Sequence, residues 1–499
     1  MMKGRLSGPV SSHEFWWVIG FCLFAAVRVL FFCAAFPFFN NVDERRHFDL
    51  VIKYAEGHVP RGVELISPAA LPYLSHYASP EFLSAPENFE GGYFGPMWKH
   101  PAEEVAPTIA QIEEIWGRTP NQECSQPPPY YVVAAAWFHL GQWMGIKGGS
   151  ALYWVRFFNI VLVAALVWLA YVAARMVFPQ QVGFRLGVPL LIAAVPQDAF
   201  YGIDNDVLSP ICFGLVFICL IKWFLELKPT ISLGISTGLS IAAAYLTKLS
   251  NLPLILVAIA TILWWCIAEA RAGRLRKAIP PLGALAVCAA IPIVAWLFWM
   301  KTHFGDFTGA ASKAELLGWT TKQFSDWWSH PIFTAPGTWT FLSELIASFW
   351  RGEFMWHAQT IGYKGLDRFY VLSSLGLILI VVISLLRDRA IISETRRMLW
   401  IAMACVVAVI VFLGLLSLQF DFGACINPSR ERPYFFQGRL MLGALIPFAT
   451  LYVYGLSRLL RHESGLLLAA IGSIAVAITI SDVLANRVTF TSAYNWFHM

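Results

Sequence analysis

Between Ile231 and Ala268 the chain runs for 38 residues with one polar interruption, Thr247-Lys248-Leu249-Ser250-Asn251. As a single helix this stretch would be about 57 Å long, nearly twice the roughly 30 Å of a bilayer's hydrocarbon core. It must fold back as two membrane helices. The same reading gives further spans near Phe15–Phe36, Ala151–Val177, Leu186–Tyr201, Val207–Phe224, Leu282–Met300, Phe369–Leu386, Leu399–Leu418, Leu440–Leu456 and Gly465–Leu484, eleven in all. With 58% of its residues apolar and 13% charged, the chain is not a soluble enzyme. The first run is long enough to span and lacks a small-residue cleavage site, so it reads as a membrane helix rather than a secretory leader. A net charge of +5 does not point to nucleic acid, because no Lys/Arg cluster alternates with exposed aromatics.

One more apolar segment, Pro127 to Gly145, decides the sidedness of everything after it. If it does not cross, Lys3 and Arg5, Arg175 and Arg185, Lys222 and Lys228, Arg271 to Lys277, Arg387 to Arg397, and Arg458 and Arg461 all lie on the cytoplasmic side, as the positive-inside rule requires. Pro127 to Pro129, His139, Gln142 and Trp143 also suit a helix lying in the interface. The expected fold is therefore an all-α polytopic membrane protein of about eleven transmembrane helices, with the N-terminus cytoplasmic. Its organisation reads as a first module over 1–300 that includes a long external loop, 37–150, then a Trp-rich external loop over 301–368 and C-terminal helices over 369–499. Within the first loop, Arg45–Glu56 and Thr108–Trp116 carry apolar stripes at helical spacing and read as surface helices.

The chemistry-bearing residues gather at one side. Asp43, Glu44 and His47 stand a few residues beyond the first span. Adjacent carboxylates with a His three and four positions on can act as a general base toward a hydroxyl or hold a divalent metal. The plainer alternative is that Asp43 caps a helix while Glu44 and His47 face water. Asp198, Asp204, Asn205 and Asp206 lie at the outer end of the third span, Lys248 in the hairpin after the fifth, and Gln437-Gly438-Arg439 at the outer start of the tenth. Ionisable groups at membrane depth are expensive and usually line a cavity, although snorkelling would account for Lys248 and turn chemistry for Asp204 and Asp206. Tryptophans in the external loops, among them Trp98, Trp116, Trp319, Trp339 and Trp350, anchor an interface or stack on sugars.

A carboxylate after the first helix, surface helices in the first loop, Gln126-Pro127-Pro128-Pro129-Tyr130-Tyr131, Asn205-Asp206 and Lys248 in an external hairpin together resemble the GT-C superfamily of membrane glycosyltransferases. Asp43-Glu44-x-x-His47, Ser348-Phe349-Trp350 and Gln437-Gly438-Arg439 are more similar to a bacterial branch of it. Pro129 stands where the family has Leu, and Arg351 where it has a small residue. The resemblance implies transfer of a sugar from a polyprenyl-phosphate carrier to an acceptor hydroxyl on a glycan, lipid or protein, at the outer face of a bacterial inner membrane. Asp43 would be the base with Glu44 beside it, His47, Asp204, Asn205, Asp206 and Gln437 would shape the substrate site, and Lys248 and Arg439 would hold the donor phosphate. No cofactor is required by this chemistry; a Mg or Mn ion on Asp43, Glu44, His47 and Asp206 is the open alternative. A transporter or flippase of an anionic lipid-linked substrate, and a lipid-linked oligosaccharide ligase or polymerase, are the competing functions. Seven cysteines fall in spans; the remaining two, Cys124 and Cys425, are expected outside and are candidates for a disulfide.

Overall fold

The computed structural model describes residues 12–195, 198–226, 228–425 and 428–495. The proposed cytoplasmic pair Lys3 and Arg5 lies outside them. Helix α1 (Ser12–Ala35) leads into a loop that carries α2 (Glu44–Ala55), α3 (Leu71–Tyr77), α4 (Ala102–Gly117) and α5 (Pro129–Trp143). There follow α6 (Gly149–Val177), α7 (Val182–Ala194), α8 (Ser209–Leu225), α9 (Ile231–Thr247), α10 (Leu252–Arg271) and α11 (Ile279–Phe304). The second long loop holds α12 (Ala310–Leu316) and α13 (Ala335–Arg351), and α14 (Lys364–Arg387), α15 (Ser393–Gln419), α16 (Leu445–Leu459) and α17 (Ser464–Ala485) complete the bundle.

Among the described residues nine helical segments are long and apolar enough to cross a membrane, and α7 and α9 are shorter apolar helices. All eleven expected spans are thus helical, but the third, expected to reach Tyr201, stops at Ala194. Pro196 is the reason. A residue before proline is pushed out of the α region, and Val195 is extended at φ −121° and ψ 144°. Irregular backbone in a membrane bundle needs protein partners, and α6 supplies them. Asn159 Nδ2 donates to the carbonyls of Phe200 at 3.0 Å and Gly202 at 2.7 Å. This stretch delivers Asp204 to the interior. The segment Pro127 to Gly145 forms the 15-residue α5, about 22 Å long and short for a crossing.

Helix α16 lies at the centre, with nearly every residue buried. It is preceded by a 3-10 segment, Gly438–Ala444, which abuts α13 closely. A Cβ on Gly438 would fall 2.0 Å from the Phe349 nitrogen. Ser348 Oγ bridges the two segments, donating to the Phe436 carbonyl at 2.6 Å and accepting from the Gly438 amide at 2.9 Å. Trp350 stacks on Tyr370 with ring centroids 5.2 Å apart and donates to Ser374 Oγ at 2.9 Å. The Ser-Phe-Trp and Gln-Gly-Arg elements thereby lock together, fixing Arg439 and the start of the following loop. In that loop Met355–Trp356 pairs antiparallel with Gln359–Thr360. The turn residues His357 and Ala358 have φ of 53° and 60°, the left-handed values of a two-residue hairpin turn. Their amides donate to the Glu81 and Phe82 carbonyls at 2.8 and 3.1 Å, joining the second loop to the first.

Candidate functional site

Asp43 immediately precedes α2 with φ 58° and makes no capping hydrogen bond. Its carboxylate is turned toward the bundle instead. Oδ1 accepts from Gln122 Nε2 at 3.2 Å and from Arg46 at 3.3 Å, and Oδ2 from Arg439 Nη2 at 3.3 Å. The capping alternative is therefore set aside. Glu44 departs from its expected role as the neighbour of a base. The left-handed backbone at Asp43 sends the two side chains apart, and Glu44 turns inward to a fully buried ion pair with Arg156, both contacts 2.7 Å. It also accepts the amides of Phe39 and Ile203, each at 3.0 Å. Arg156 in turn donates to the carbonyls of Cys33, Phe36 and Pro37 at the end of α1. Glu44 is a structural tie between the first loop, α6 and the irregular stretch after α7.

Arg439 gathers the carboxylates. Its Nη1 lies 3.3 Å from Asp204 and 3.6 Å from Asp206, and its Nε lies 3.5 Å from Glu353. Together with Asp43, four acidic groups from three separate parts of the chain meet one guanidinium. Lys248 Nζ is 2.5 Å from Asp206 and 4.0 Å from Asp204. His47 lies with Nε2 3.5 Å from Asp204 and Nδ1 2.7 Å from Tyr131 Oη. Asp204 Oδ1 accepts the Asp206 amide at 2.9 Å, and Asn205 Nδ2 donates to Gln126 Oε1 and to the Thr247 carbonyl, both at 3.0 Å. Gln437 flanks the cluster with a buried, unpartnered Oε1. Eight of the nine expected site residues, all but Glu44, thus surround or adjoin one cluster.

The electrostatics differ from the sequence expectation in one respect. Lys248 and Arg439 were expected to carry a donor phosphate, yet both are engaged by carboxylates, and the acids outnumber the cations. Burial pushes Glu353 up to about 7 against the pull of Arg439, with Asp198 and Asp206 adding to the rise. Burial works in the same direction on Asp204, but His47, Lys248 and Arg439 outweigh it and hold that carboxyl below its ordinary value. Glu123 sits further out, with Lys313 2.6 Å away; despite burial, Lys313 and His47 hold it well below the usual range. The proposed metal set does not fit this arrangement. Glu44 is saturated by Arg156 and two amides, Asp43 and Asp206 share Arg439, and among the described residues no group of three or more His, Cys, Asp or Glu converges on a point.

Residues 16–423 match the DUF2142 family, described as "Predicted membrane protein". The chain belongs to that family. No curated protein matches. Among solved structures, the crystal structure of the Archaeoglobus fulgidus oligosaccharyltransferase in complex with Zn and sulfate is similar at 13% identity and a TM-score of 0.36, over 74% of this chain. This chain spans 44% of the length of that one.

In this DUF2142 chain three cavities reach the cluster at different residues. The first, about 640 Å³, lies among the first-loop helices and is lined by Asp43, Arg45, Arg46, Tyr93, Trp116 and Tyr494. The second, about 820 Å³, lies between α13 and α14 and ends on Glu353 and Gln437. The third, about 210 Å³, is an apolar groove between α9, α11 and α15 with Lys248, Gln126 and Lys313 at its polar end. Sequence reasoning missed Arg156, Asn159 and Glu353. The first two stand inside an apolar span, where a charge or amide is itself a signal; Glu353 sits in a loop and carried none. It also missed Arg28 and Asp482, buried 3.7 Å apart within spans, with Tyr201 donating to Asp482 at 2.6 Å. The expected disulfide is absent: neither Cys124 nor Cys425 is bonded to another cysteine. Cys124 is buried with its thiol toward the Glu64 carbonyl.

Proposed function

We propose that this chain is an integral membrane glycosyltransferase that moves a sugar from a polyprenyl-phosphate-linked donor to an acceptor hydroxyl, at the outer face of a bacterial inner membrane. One observation carries the reading. Asp43 lines the 640 Å³ first-loop cavity, and its Oδ2 lies 3.3 Å from the guanidinium that also holds three interior carboxylates. The Asp43 side chain, fixed by Gln122, Arg46 and Arg439, thus stands at a cavity lined by aromatic rings, a surface suited to a sugar-bearing acceptor.

In the step this site supports, the acceptor hydroxyl attacks the anomeric carbon and its proton passes to Asp43. The bond from that carbon to the phosphate oxygen breaks, and the phosphate leaves with the electron pair. One displacement inverts the anomeric configuration. Arg439 and Lys248 orient the carboxylates, and Glu44 with Arg156 keeps Asp43 at the rim. The basic residues at the opposite ends of the helices, Arg175, Arg271, Arg387 and Arg397 among them, support an outward-facing site through the positive-inside rule.

The test is transfer by the reconstituted protein from prenyl-phosphate sugars, read by product formation. Asp43→Asn keeps the shape of the side chain but accepts no proton, and is expected to lose transfer while remaining folded. A variant retaining more than about a tenth of wild-type turnover, a loss of less than roughly 1.4 kcal/mol in barrier, would overturn the base assignment. Movement of the lipid across vesicles without transfer would overturn the enzyme reading in favour of a carrier.

A further inference from the structure

The 820 Å³ cavity between α13 and α14 has no role in the steps above. At its mouth stand Arg351, Lys364, Arg368 and Arg432. Arg351 is paired with Asp367 at 3.1 Å, and Arg432 with Glu344. Lys364 and Arg368 have no carboxylate within ion-pair distance among the described residues and are exposed. They open a membrane span at the end of the bundle that holds the site, while its other end carries Arg387. Positive-inside bias does not explain cations there. Their spacing continues into the span: residues 364, 368 and 372 stand four apart and share one helix face, and the third is Leu372, 62% exposed. Trp339 of α13, 51% exposed, lines the other wall. The inner end is polar in a different way. Glu353 Oε1 and Gln437 Oε1 are buried and without a hydrogen-bond partner, an arrangement that costs free energy unless a donor arrives. Glu353 Oε2 lies 3.5 Å from Arg439 Nε, so this end opens onto the same guanidinium that holds Asp43.

From mouth to floor the cavity therefore offers an apolar edge, two unpaired cations and two acceptors in want of hydroxyl donors. That sequence matches an amphiphile with a hydrocarbon tail, an anionic phosphate and a sugar. We propose that this cavity seats the lipid-phosphate sugar donor, with its phosphate against Lys364 and Arg368, its chain along Leu372 into the bilayer, and its sugar hydroxyls donating to Gln437 and Glu353. Donor and acceptor then approach Arg439 from separate cavities, and the phosphate no longer needs to displace carboxylates from Lys248. The proposal rests on the glycosyl-transfer reading and gives the donor a different seat from the one the sequence suggested.

The experiment measures binding of farnesyl phosphate, and of farnesyl phosphate carrying glucose, to the full chain in nanodiscs. Lys364→Ala/Arg368→Ala alters exposed residues and is expected to fold; it should weaken both probes at least tenfold, while Lys248→Ala changes affinity less than threefold. Gln437→Leu should weaken the glucose-bearing probe several-fold and leave farnesyl phosphate unchanged. Unaltered binding in the double variant with loss in Lys248→Ala would overturn this seat and leave glycosyl transfer standing. Displacement of farnesyl phosphate by phosphatidylglycerol at equal concentration would overturn it as well, marking a general anionic-lipid site. No binding of either probe by the wild-type chain would overturn both the seat and the donor class.

Discussion

Replacing Glu44 by Gln removes one charge and almost no volume, so the consequence isolates what the carboxylate does. It is 1% exposed and accepts four hydrogen bonds, two from Arg156 and one each from the Phe39 and Ile203 amides. The amide retains one oxygen and turns its NH2 toward donors, leaving the Arg156 charge buried and poorly compensated. Breaking such a pair costs about 3–5 kcal/mol. An ordinary buried pair is often rescued by replacing both partners with apolar residues. Here rescue should fail, because Glu44→Met/Arg156→Met also strands two amides and the three carbonyls that Arg156 caps at the end of α1. At about 1 kcal/mol or more for each orphaned group, the double variant loses at least as much as the single one. Thermal unfolding in detergent, followed by tryptophan fluorescence, should show midpoints lowered by about 3–10 °C for both, with Asp43→Asn close to wild type. A Glu44→Gln protein that melts with the wild type but has lost transfer would refute the argument and return Glu44 to the chemistry. A double Met variant restored to wild-type stability would refute the capping role of Arg156.

Two further changes bear on the cluster. Arg439→Lys replaces a fork that meets four carboxylates with a single point charge; at about 1.5–3 kcal/mol per charged hydrogen bond lost, transfer assays should show a drop of roughly ten- to a hundredfold, and an unimpaired variant would remove Arg439 from its central place. Gly438→Ala puts a Cβ 2.0 Å from the Phe349 nitrogen, whereas Gly365→Ala meets open space; thermal melts should show the first destabilised by about 1–3 kcal/mol or more and the second unaffected.

Much of this arrangement was written in the sequence as cost. A charge at membrane depth needs a reason, and that rule found Asp204, Asp206, Lys248 and Arg439 before any of them had neighbours. It would have found Arg156 too, had it been applied within spans as well as at their ends. Amphipathic spacing located the helix expected over Arg45–Glu56 to within one residue. It caught only the second half of the one expected over Thr108–Trp116, because the apolar stripe begins at Ile109 whereas the helix starts at Ala102. Direction was harder to read than position. Asp43 and Glu44 are adjacent, chemically alike and both at the wall of the first-loop cavity, yet one carboxylate meets Gln122, Arg46 and Arg439 and the other is buried on Arg156, a difference set by the left-handed backbone at Asp43 and by a partner in α6. Glu353 had neither periodicity nor depth to announce it, and only its contact with Arg439 gives it meaning.

The joining of Asp43 to Arg439 spans 396 residues of chain. At about 5–20 residues per second of synthesis, the guanidinium emerges roughly 20–80 s after the first carboxylate it will hold. Throughout that interval Asp43, Asp204, Asp206 and, once made, Glu353 are in the membrane or at its edge without their common counter-ion. The Gly438–Ala444 segment must then pack its bare backbone against Phe349. Closure of the site thus waits for a segment made late in synthesis, ahead only of α16, α17 and the Tyr494 that lines the first-loop cavity.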